Sequence, residues 1–289
     1  MTSQPAPAPA DTATFDPAPP FGLLLDVDGP IASPVTRTVA IESIGRDLAT
    51  MANAGIPVVF NTGRSDAFIA EEVVPALRAA GLLEGTPVFT VSEKGAVWAD
   101  VSPAGLGEIH IDDHLKLPAG LYDDVRTLVA QRYASLMFFD ETKRAMVSVE
   151  MTVGADPHAY LAAQKHFDDA IPELLEKHGL TDVRIDPTII STDIEHELVG
   201  KDLGAARTLE LLSARGIAAA SWFTMGDSRT DYAMADWLHA RGHEVSHVDV
   251  RPADGVPETP YPVLTSATGA IHDESGAEFL TAWAGRLNR

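Results

Sequence analysis

The chain has 289 residues, of which 45% are apolar and 22% charged, a balance typical of a globular protein with a sizeable core. Its 42 acidic and 21 basic side chains give a formal net charge of −21, which repels nucleic-acid phosphates and anionic membranes, so neither is an expected partner. The sequence contains no cysteine, which excludes disulfides, zinc–thiolate sites, iron–sulfur clusters and a cysteine nucleophile.

Residues 1–20 are rich in proline and alanine and contain almost no large apolar side chains. This composition predicts a disordered tail with polyproline character. The segment lacks the basic start and the apolar region of a secretory signal. No stretch of the chain approaches the roughly 20 apolar residues needed to span a bilayer. We therefore expect a cytoplasmic protein.

Strands and helices alternate in the part of the chain that follows the tail. The patterns predict a strand at 21–27, a helix at 39–54, a strand at 56–61, a helix at 66–80 with Ser65 as its N-cap, and two short strands within 87–100 about a turn at Lys94-Gly95. Apolar strands that alternate with helices indicate a parallel sheet with helices on both faces.

The middle of the chain has a different pattern, and the first pattern then returns. The middle predicts helices at 119–134 and 156–178 and strands near 136–140, 145–151, 182–186 and 188–194. From Lys201 onward we predict a helix at 201–215, a strand at 221–225, a helix after Arg229, strands at 243–248 and near 261–265, and a final helix from 268. The prediction is an α/β protein with a doubly wound, Rossmann-like parallel-sheet core at 21–112 and 190–289 and an inserted α+β cap domain at 113–189.

Four short segments place polar groups where a strand ends or a helix begins. They are Asp26-Val27-Asp28-Gly29, Asn61-Thr62-Gly63-Arg64, Gly200-Lys201 and Gly226-Asp227-Ser228-Arg229-Thr230-Asp231. In an open α/β sheet the carboxyl ends of the strands line one crevice, so we expect Asp26, Thr62 and Asp227 to meet there. Carboxylates buried together need positive charge nearby.

The order and spacing of these segments resemble the haloacid dehalogenase superfamily of phosphotransferases, from residue 21 to about residue 275. The long insertion between the second and third segments is similar to the cap of the branch that contains sugar phosphatases and phosphomannomutase-like enzymes. DxDG after an apolar run is fairly specific, whereas TGR and a single lysine are weak alone. The resemblance depends on all four segments in this order, ending in GDxxxD.

The resemblance implies a catalytic role for three residues. Asp26 is the implied nucleophile, which forms an aspartyl-phosphate. Asp28 is the implied general acid for the leaving alkoxide and then the base that activates water. Lys201 is implied to neutralise Asp26 and the transferring phosphoryl group, since charge stabilisation supplies most of the catalysis in this chemistry.

The resemblance also implies a phosphate site and a metal site. The implied phosphate ligands are Thr62, Gly63 and Arg64 with adjacent backbone N–H groups. The implied cofactor is Mg²⁺, whose charge removes the repulsion between a carboxylate and a phosphate dianion. Its implied ligands are Asp26, the main-chain carbonyl of Asp28 and Asp227, with Asp231 supporting the water shell of the metal.

Three positions depart from the family pattern. Pro30 follows DxDG where the family commonly has threonine, Thr230 replaces an asparagine in the fourth segment, and Lys94-Gly95-Ala96 stands where the capped branch often has Asn-Gly-Ala. None of the three changes removes an essential acid or base. The first and third changes could alter substrate contacts, so the family's chemistry is expected here but its substrate specificity is not.

Three charged stretches receive less specific interpretations. We interpret 110–114 (HIDDH) as a solvated connection into the cap rather than a metal site, because no helical or hairpin spacing brings its side chains together. We interpret 193–198 (DIEHEL) as a hinge that returns to the core. The alternation in 143–151 predicts one face of a cap sheet.

The resulting hypothesis is a Mg²⁺-dependent phosphatase that hydrolyses a small phosphomonoester, a sugar or polyol phosphate, through Asp26. One alternative is a phosphomannomutase-like transferase that returns the phosphoryl group to a sugar. Another is a non-catalytic sensor of a phosphorylated ligand, although the retention of every acid, base and cation argues against it. A dinucleotide-binding dehydrogenase and a P-loop nucleotidase are disfavoured because G-x-G-x-x-G does not follow the first strand and GxxxxGK[ST] does not occur.

Overall fold

The computed structural model describes residues 16–287. Most of the predicted disordered tail, residues 1–15, lies outside the described residues. Its last residues run beside the core: the carbonyls of Pro17 and Pro19 accept hydrogen bonds from Ala218 N and Ala220 N, at 2.8 and 3.0 Å. Among the described helices, none combines the length and the apolar character needed to cross a membrane.

The helices and strands match the predicted elements, except that β5 and β6 were not predicted. Within residues 16–287 the strands are, in chain order, β1 (Gly22–Leu25), β2 (Val58–Asn61), β3 (Val88–Ser92), β4 (Val97–Ser102), β5 (Gly105–Leu106), β6 (His110–Ile111), β7 (Met137–Phe139), β8 (Val147–Met151), β9 (Val183–Pro187), β10 (Ser191–His196), β11 (Ser221–Gly226), β12 (Glu244–Asp249) and β13 (Val263–Leu264). The α-helices are α1 (Glu42–Asn53), α2 (Asp66–Phe68), α3 (Val74–Ala79), α4 (Ala119–Arg132), α5 (Pro157–Lys177), α6 (Lys201–Ala214), α7 (Tyr232–Ala240) and α8 (His272–Leu287).

Two shorter features modify these helices. A π-helical turn (Ile69–Val73) joins α2 to α3, so the predicted helix at 66–80 is not regular throughout. Its start is as predicted, because Ser65 caps it by accepting a hydrogen bond from Phe68 N at 3.3 Å. A 3₁₀ turn (Arg229–Asp231) precedes α7.

The first sheet has the strand order β13-β12-β11-β1-β2-β3-β4-β5, with β6 beside β4. Strands from β13 to β3 are parallel, and β4 turns back antiparallel to β3. The central strand β1 pairs with β11 on one side and β2 on the other, so that Leu24 lies between Thr224 and Val59. The predicted doubly wound core is confirmed.

Helices cover both faces of this sheet, which explains the three consecutive leucines of β1. Leu23 and Leu25 belong to the core cluster formed with α1, α3 and α8, whereas Leu24 belongs to the cluster formed with α6 and α7. Side chains alternate between the two faces of a strand, so a strand covered on both faces needs a continuous apolar run.

The second sheet is antiparallel, in the order β7-β8-β10-β9, and forms the cap with α4 and α5. One face is apolar and packs on the two helices through residues such as Val149, Ile194 and Phe167. The other face is polar, and the register places Ser191 beside Glu150, Asp193 beside Ser148 and Asp186, and Glu195 beside Arg184. The alternation within 143–151 therefore corresponds to the two faces of β8.

The interpretation of 193–198 as a hinge is wrong. Residues 191–196 form a strand of the cap sheet. The predicted core segment 190–289 therefore begins too early. Ile194 is fully buried in the cap core, which fixes this strand in the cap. In the HIDDH stretch, His110 and Ile111 pair with β4 in the core sheet, and Asp112 accepts a 2.8 Å hydrogen bond from Arg207.

Candidate active site

The ammonium group of Lys201 joins three distant parts of the chain. Its Nζ atom lies 2.7 Å from Asp26 Oδ1 and 2.7 Å from Asp231 Oδ1, and it donates to the carbonyl of Asn61 at 2.9 Å. Asp26 follows β1, Asn61 ends β2, Asp231 follows β11 and Lys201 begins α6. Three oxygen atoms thus surround the ammonium, in a place where the exposed fractions of Lys201, Asp26 and Asp231 are 8%, 6% and 0%.

The position of Lys201 depends on close packing between α6 and the end of β2. Asn61 Nδ2 donates to the carbonyl of Lys201 at 2.8 Å. A Cβ atom at Gly204 would lie 2.0 Å from Asn61 Oδ1, so only glycine allows this approach. A lysine in the first turn faces the positive end of the helix dipole, and the two carboxylates offset that disadvantage.

The carboxylate of Asp231 organises the turn that carries Asp227. Asp231 Oδ2 accepts hydrogen bonds from Ser228 Oγ at 2.7 Å, Ser228 N at 3.0 Å and Asp227 N at 3.2 Å. Both oxygens of Asp231 are therefore engaged, one by Lys201 and one by the turn. The side chain of Asp227 remains 18% exposed, with Arg251 Nη1 at 3.9 Å and His272 Nδ1 at 3.7 Å.

The donor atoms at this edge of the sheet fit a magnesium ion. Carboxylate oxygens of Asp26, Asp227 and Asp231 lie within 4.8 Å of one another. Oxygen-only ligands from carboxylates suit hard divalent cations. The chain after Asp28 approaches Asp227 so closely that a Cβ at Gly29 would lie 2.8 Å from Asp227 Cβ, and Gly29 has φ +93°. The glycine of DxDG is thus required by backbone conformation and by space.

Burial and mutual repulsion disfavour the ionised forms of the acids in this cluster, whereas Lys201 favours them. Burial raises the pKa of Asp26 well above its usual value, with further contributions from Asp231 and Asp28, while Lys201 acts in the opposite direction. Burial and the charge of Asp231 also raise the pKa of Asp227. For Asp231, Lys201 and Ser228 outweigh burial, and the pKa lies below its usual value. Additional positive charge beside Asp26 and Asp227 would favour their ionised forms.

Asp28 is held by Arg64 in a bidentate pair. Arg64 Nε and Nη2 donate to the two carboxylate oxygens of Asp28 at 2.8 and 2.9 Å, the geometry of a guanidinium on an ionised carboxylate. Arg64 Nη1 lies 3.6 Å from Glu150 of the cap strand β8, and Arg37 Nη1 lies 3.3 Å from the same carboxylate. The side chain of Asp28 is 38% exposed, so it lies at the mouth of the site.

Thr62 lies in the turn after β2 and is fully buried. Its N–H donates to the carbonyl of Val91 at 3.0 Å, and its Oγ1 accepts from Arg64 N at 3.1 Å. The neighbouring carbonyl of Gly63 accepts a hydrogen bond from Lys143 of the cap.

The site includes residues that the sequence analysis did not assign. Asn61 positions Lys201, Ser228 supports Asp231, and Glu150 brings a cap carboxylate to Arg64. The alternation of β8 offered a signal for Glu150, since it places this residue on the same face as Ser148. The contacts of Asn61 and Ser228 depend on segments that meet only in the folded chain.

Comparison with known proteins identifies the fold. No protein-family model matches the chain, and no curated protein matches it in sequence. Among solved structures, the C-terminal domain of C. albicans trehalose-6-phosphate phosphatase aligns with a TM-score of 0.67 and 14% identity over 93% of each chain. A haloacid dehalogenase-like hydrolase from Bacteroides thetaiotaomicron aligns with a TM-score of 0.61 and 12% identity, covering 92% of this chain and 99% of the other.

A third solved structure also matches over nearly its whole length. The sucrose-phosphatase of Synechocystis, in complex with sucrose and phosphate, aligns with a TM-score of 0.52 and 15% identity, covering 92% of this chain and 98% of the other. The chain therefore has the capped haloacid dehalogenase-like fold, and the resemblance drawn from its sequence is confirmed for the fold.

Proposed function

From this fold, we propose that the chain is a Mg²⁺-dependent phosphoric monoester hydrolase that acts on a small phosphorylated metabolite, a sugar or polyol phosphate, through Asp26. The observation that carries the proposal is the buried Lys201 ammonium, 2.7 Å from both Asp26 and Asp231, with Asp227 beside them. The trehalose-6-phosphate phosphatase and sucrose-phosphatase with the same fold support the class of substrate.

In the first half of the reaction, a carboxylate oxygen of Asp26 attacks phosphorus. The new O–P bond forms while the ester O–P bond breaks, and Asp28 gives its proton to the leaving alkoxide. Lys201 holds Oδ1 of Asp26, which fixes the orientation of the carboxylate. The same ammonium stabilises the negative charge on the transferring phosphoryl group.

In the second half, a water molecule hydrolyses the aspartyl-phosphate. Asp28 takes a proton from that water as it attacks phosphorus, which releases inorganic phosphate and restores Asp26. Mg²⁺, when held by Asp26, Asp227 and the main-chain carbonyl of Asp28, supplies positive charge that offsets the repulsion between carboxylate and phosphate. Asp231 supports this arrangement through Lys201 and the turn, because both of its oxygens are already engaged.

Arg64 occupies both carboxylate oxygens of Asp28, so Arg64 has to move before Asp28 can contact a leaving group. The phosphate of an incoming substrate offers Arg64 another bidentate partner, beside the hydroxyl of Thr62 and the backbone of Gly63. Substrate binding would then free Asp28 for acid–base chemistry at the time when it is needed. Asp28 is exposed enough to reach a leaving group.

The variant Asp26→Asn tests the proposed nucleophile. With Mg²⁺ and para-nitrophenyl phosphate, hydrolysis should fall below detection while the circular dichroism spectrum stays unchanged. Asp113→Asn, the same change at an exposed carboxylate, serves as the matched control and should keep full activity. Unchanged turnover in Asp26→Asn would remove Asp26 from this role.

The same preparation separates hydrolysis from the two alternatives. A hexose 1-phosphate should give free phosphate, whereas a phosphomutase would give the isomeric sugar phosphate. Tight binding of phosphate esters without turnover, over a panel of sugar, polyol, nucleotide and glycerate phosphates, would instead indicate a sensor.

A further inference from the structure

The turn between β3 and β4 has an unusual backbone. Glu93, Lys94 and Gly95 have φ values of +48°, +54° and +102°. Residues with a Cβ atom rarely adopt this left-handed region, because the Cβ then crowds the following carbonyl oxygen. Two charged residues in succession therefore need compensating contacts, and both side chains make them with the cap.

The ammonium of Lys94 lies among three carboxylates of the polar cap face. Its Nζ atom is 2.8 Å from Glu195 Oε2, 2.9 Å from Asp186 Oδ2 and 3.2 Å from Asp193 Oδ2. Arg184 adds one further cation, 2.7 Å from Glu195. The side chains of Lys94, Asp193 and Glu195 are 16%, 13% and 0% exposed, so these charges meet in the interface between core and cap.

Glu93 docks on a different part of the cap. Its buried carboxylate accepts hydrogen bonds from the backbone N–H groups of Arg144 and Ala145, both at 2.8 Å, and of Met146 at 3.1 Å. These three residues belong to the loop between β7 and β8. The two side chains therefore attach the turn to two separate cap segments.

The backbone of the same turn contacts the candidate active site. Lys94 N donates to the carbonyl of Thr62 at 2.9 Å, and Gly200 N donates to the carbonyl of Lys94 at 2.8 Å. Lys94 thus lies between the turn that carries Thr62 and the start of the helix that carries Lys201. A displacement of Lys94 would act on both.

We propose that Lys94 is a positioning residue that couples docking of the cap to the geometry of the active site. Its ammonium pairs with the carboxylates of β9 and β10 on the polar cap face, and its backbone holds Thr62 and Gly200. Because Lys94 Nζ meets three cap carboxylates at 2.8–3.2 Å, docking at this point is electrostatic. The docking claim is independent of the proposed function, and only its effect on catalysis rests on it.

The variant Lys94→Met removes the charge and keeps the length of the side chain. The ion pairs that hold the cap on the core are then lost. Mutual repulsion among the three cap carboxylates, Asp186, Asp193 and Glu195, is offset only in part by Arg184 and favours the open cap. Without substrate, we expect faster amide hydrogen exchange at 144–146 and a larger radius of gyration by X-ray scattering. Lys165→Met, on an exposed position of α5, is the matched control and should behave like the unmodified chain.

The triple variant K94M/D186N/D193N tests whether charge is the cause. It leaves Glu195 paired with Arg184, so docking should return toward that of the unmodified chain. A triple variant as open as Lys94→Met would overturn the proposal, because lost packing rather than charge would then be responsible. Exchange and scattering of Lys94→Met equal to those of the unmodified chain would overturn it as well.

Two further measurements complete the test. If Lys94→Met fails to fold, the variant D186N/D193N, which keeps Lys94, should still show faster exchange at 144–146, and no change would overturn the proposal. With substrate, a shift toward the open cap raises KM and leaves kcat within about twofold, and a tenfold rise in KM corresponds to about 1.4 kcal/mol of docking free energy. If the unmodified chain does not hydrolyse phosphate esters, the proposed function is refuted, whereas the exchange result still tests the docking role of Lys94.

Discussion

Replacing Lys201 by methionine tests whether one ammonium allows Asp26 and Asp231 to stay ionised side by side. The change removes a positive charge 2.7 Å from each carboxylate, and the three side chains are between 1% and 9% exposed. Removing one partner of a buried ionic group costs about 3–5 kcal/mol. Methionine keeps most of the packing volume, so we expect the free energy of unfolding near pH 8, without Mg²⁺, to fall by about 3–5 kcal/mol.

This loss should depend on pH in a definite direction. In Lys201→Met, burial and Asp231 raise the pKa of Asp26, and the ammonium that opposes them is gone. A carboxyl whose folded pKa lies above its unfolded value contributes stability that is present at low pH and is lost as pH rises through the folded pKa. The difference from the unmodified chain should therefore be smaller near pH 5 than near pH 8.

Urea denaturation followed by tryptophan fluorescence measures this loss, because Trp222 and Trp283 are buried in the core. The double variant D26N/K201M should recover part of the stability, since one buried charge then disappears together with its partner. A loss below about 1 kcal/mol, or a loss that is the same at both pH values, would refute the reasoning.

Three further predictions concern the core and the site. Burial lowers the pKa of His247 from 6.5 to about 4. The folded state therefore favours the neutral imidazole, and the free energy of unfolding should fall by about 3 kcal/mol as pH decreases from above 6.5 to below 4. His247→Gln should remove this pH dependence in urea denaturation. Gly204→Ala should force α6 away from Asn61 and lower kcat by about 10²-fold without changing the circular dichroism spectrum. Asp227→Asn should weaken Mg²⁺ binding by about tenfold or more in isothermal titration calorimetry, and unchanged affinity would contradict its role as a ligand.

Local patterns in the sequence were sufficient to predict most of the architecture. The continuous leucines of β1, the cap at Ser65 and the turn at Lys94-Gly95 each reflect a rule that acts within a few residues. The carboxyl ends of parallel strands share one edge, so the positions of Asp26 and Asp227 followed once the strands were recognised.

Other features depended on contacts between distant segments. Lys94 and Glu195 are 101 positions apart, and Arg64 and Asp28 are 36 apart. The strand order of the core brings Arg64 to Asp28, and the position of the cap on the core brings Lys94 to Glu195. Likewise, β10 belongs to the cap because its apolar face is buried there, although its charged residues alone resembled a hinge. Periodicity along a chain predicts its helices and strands, whereas the pairing of charges across an interface follows only from three-dimensional packing.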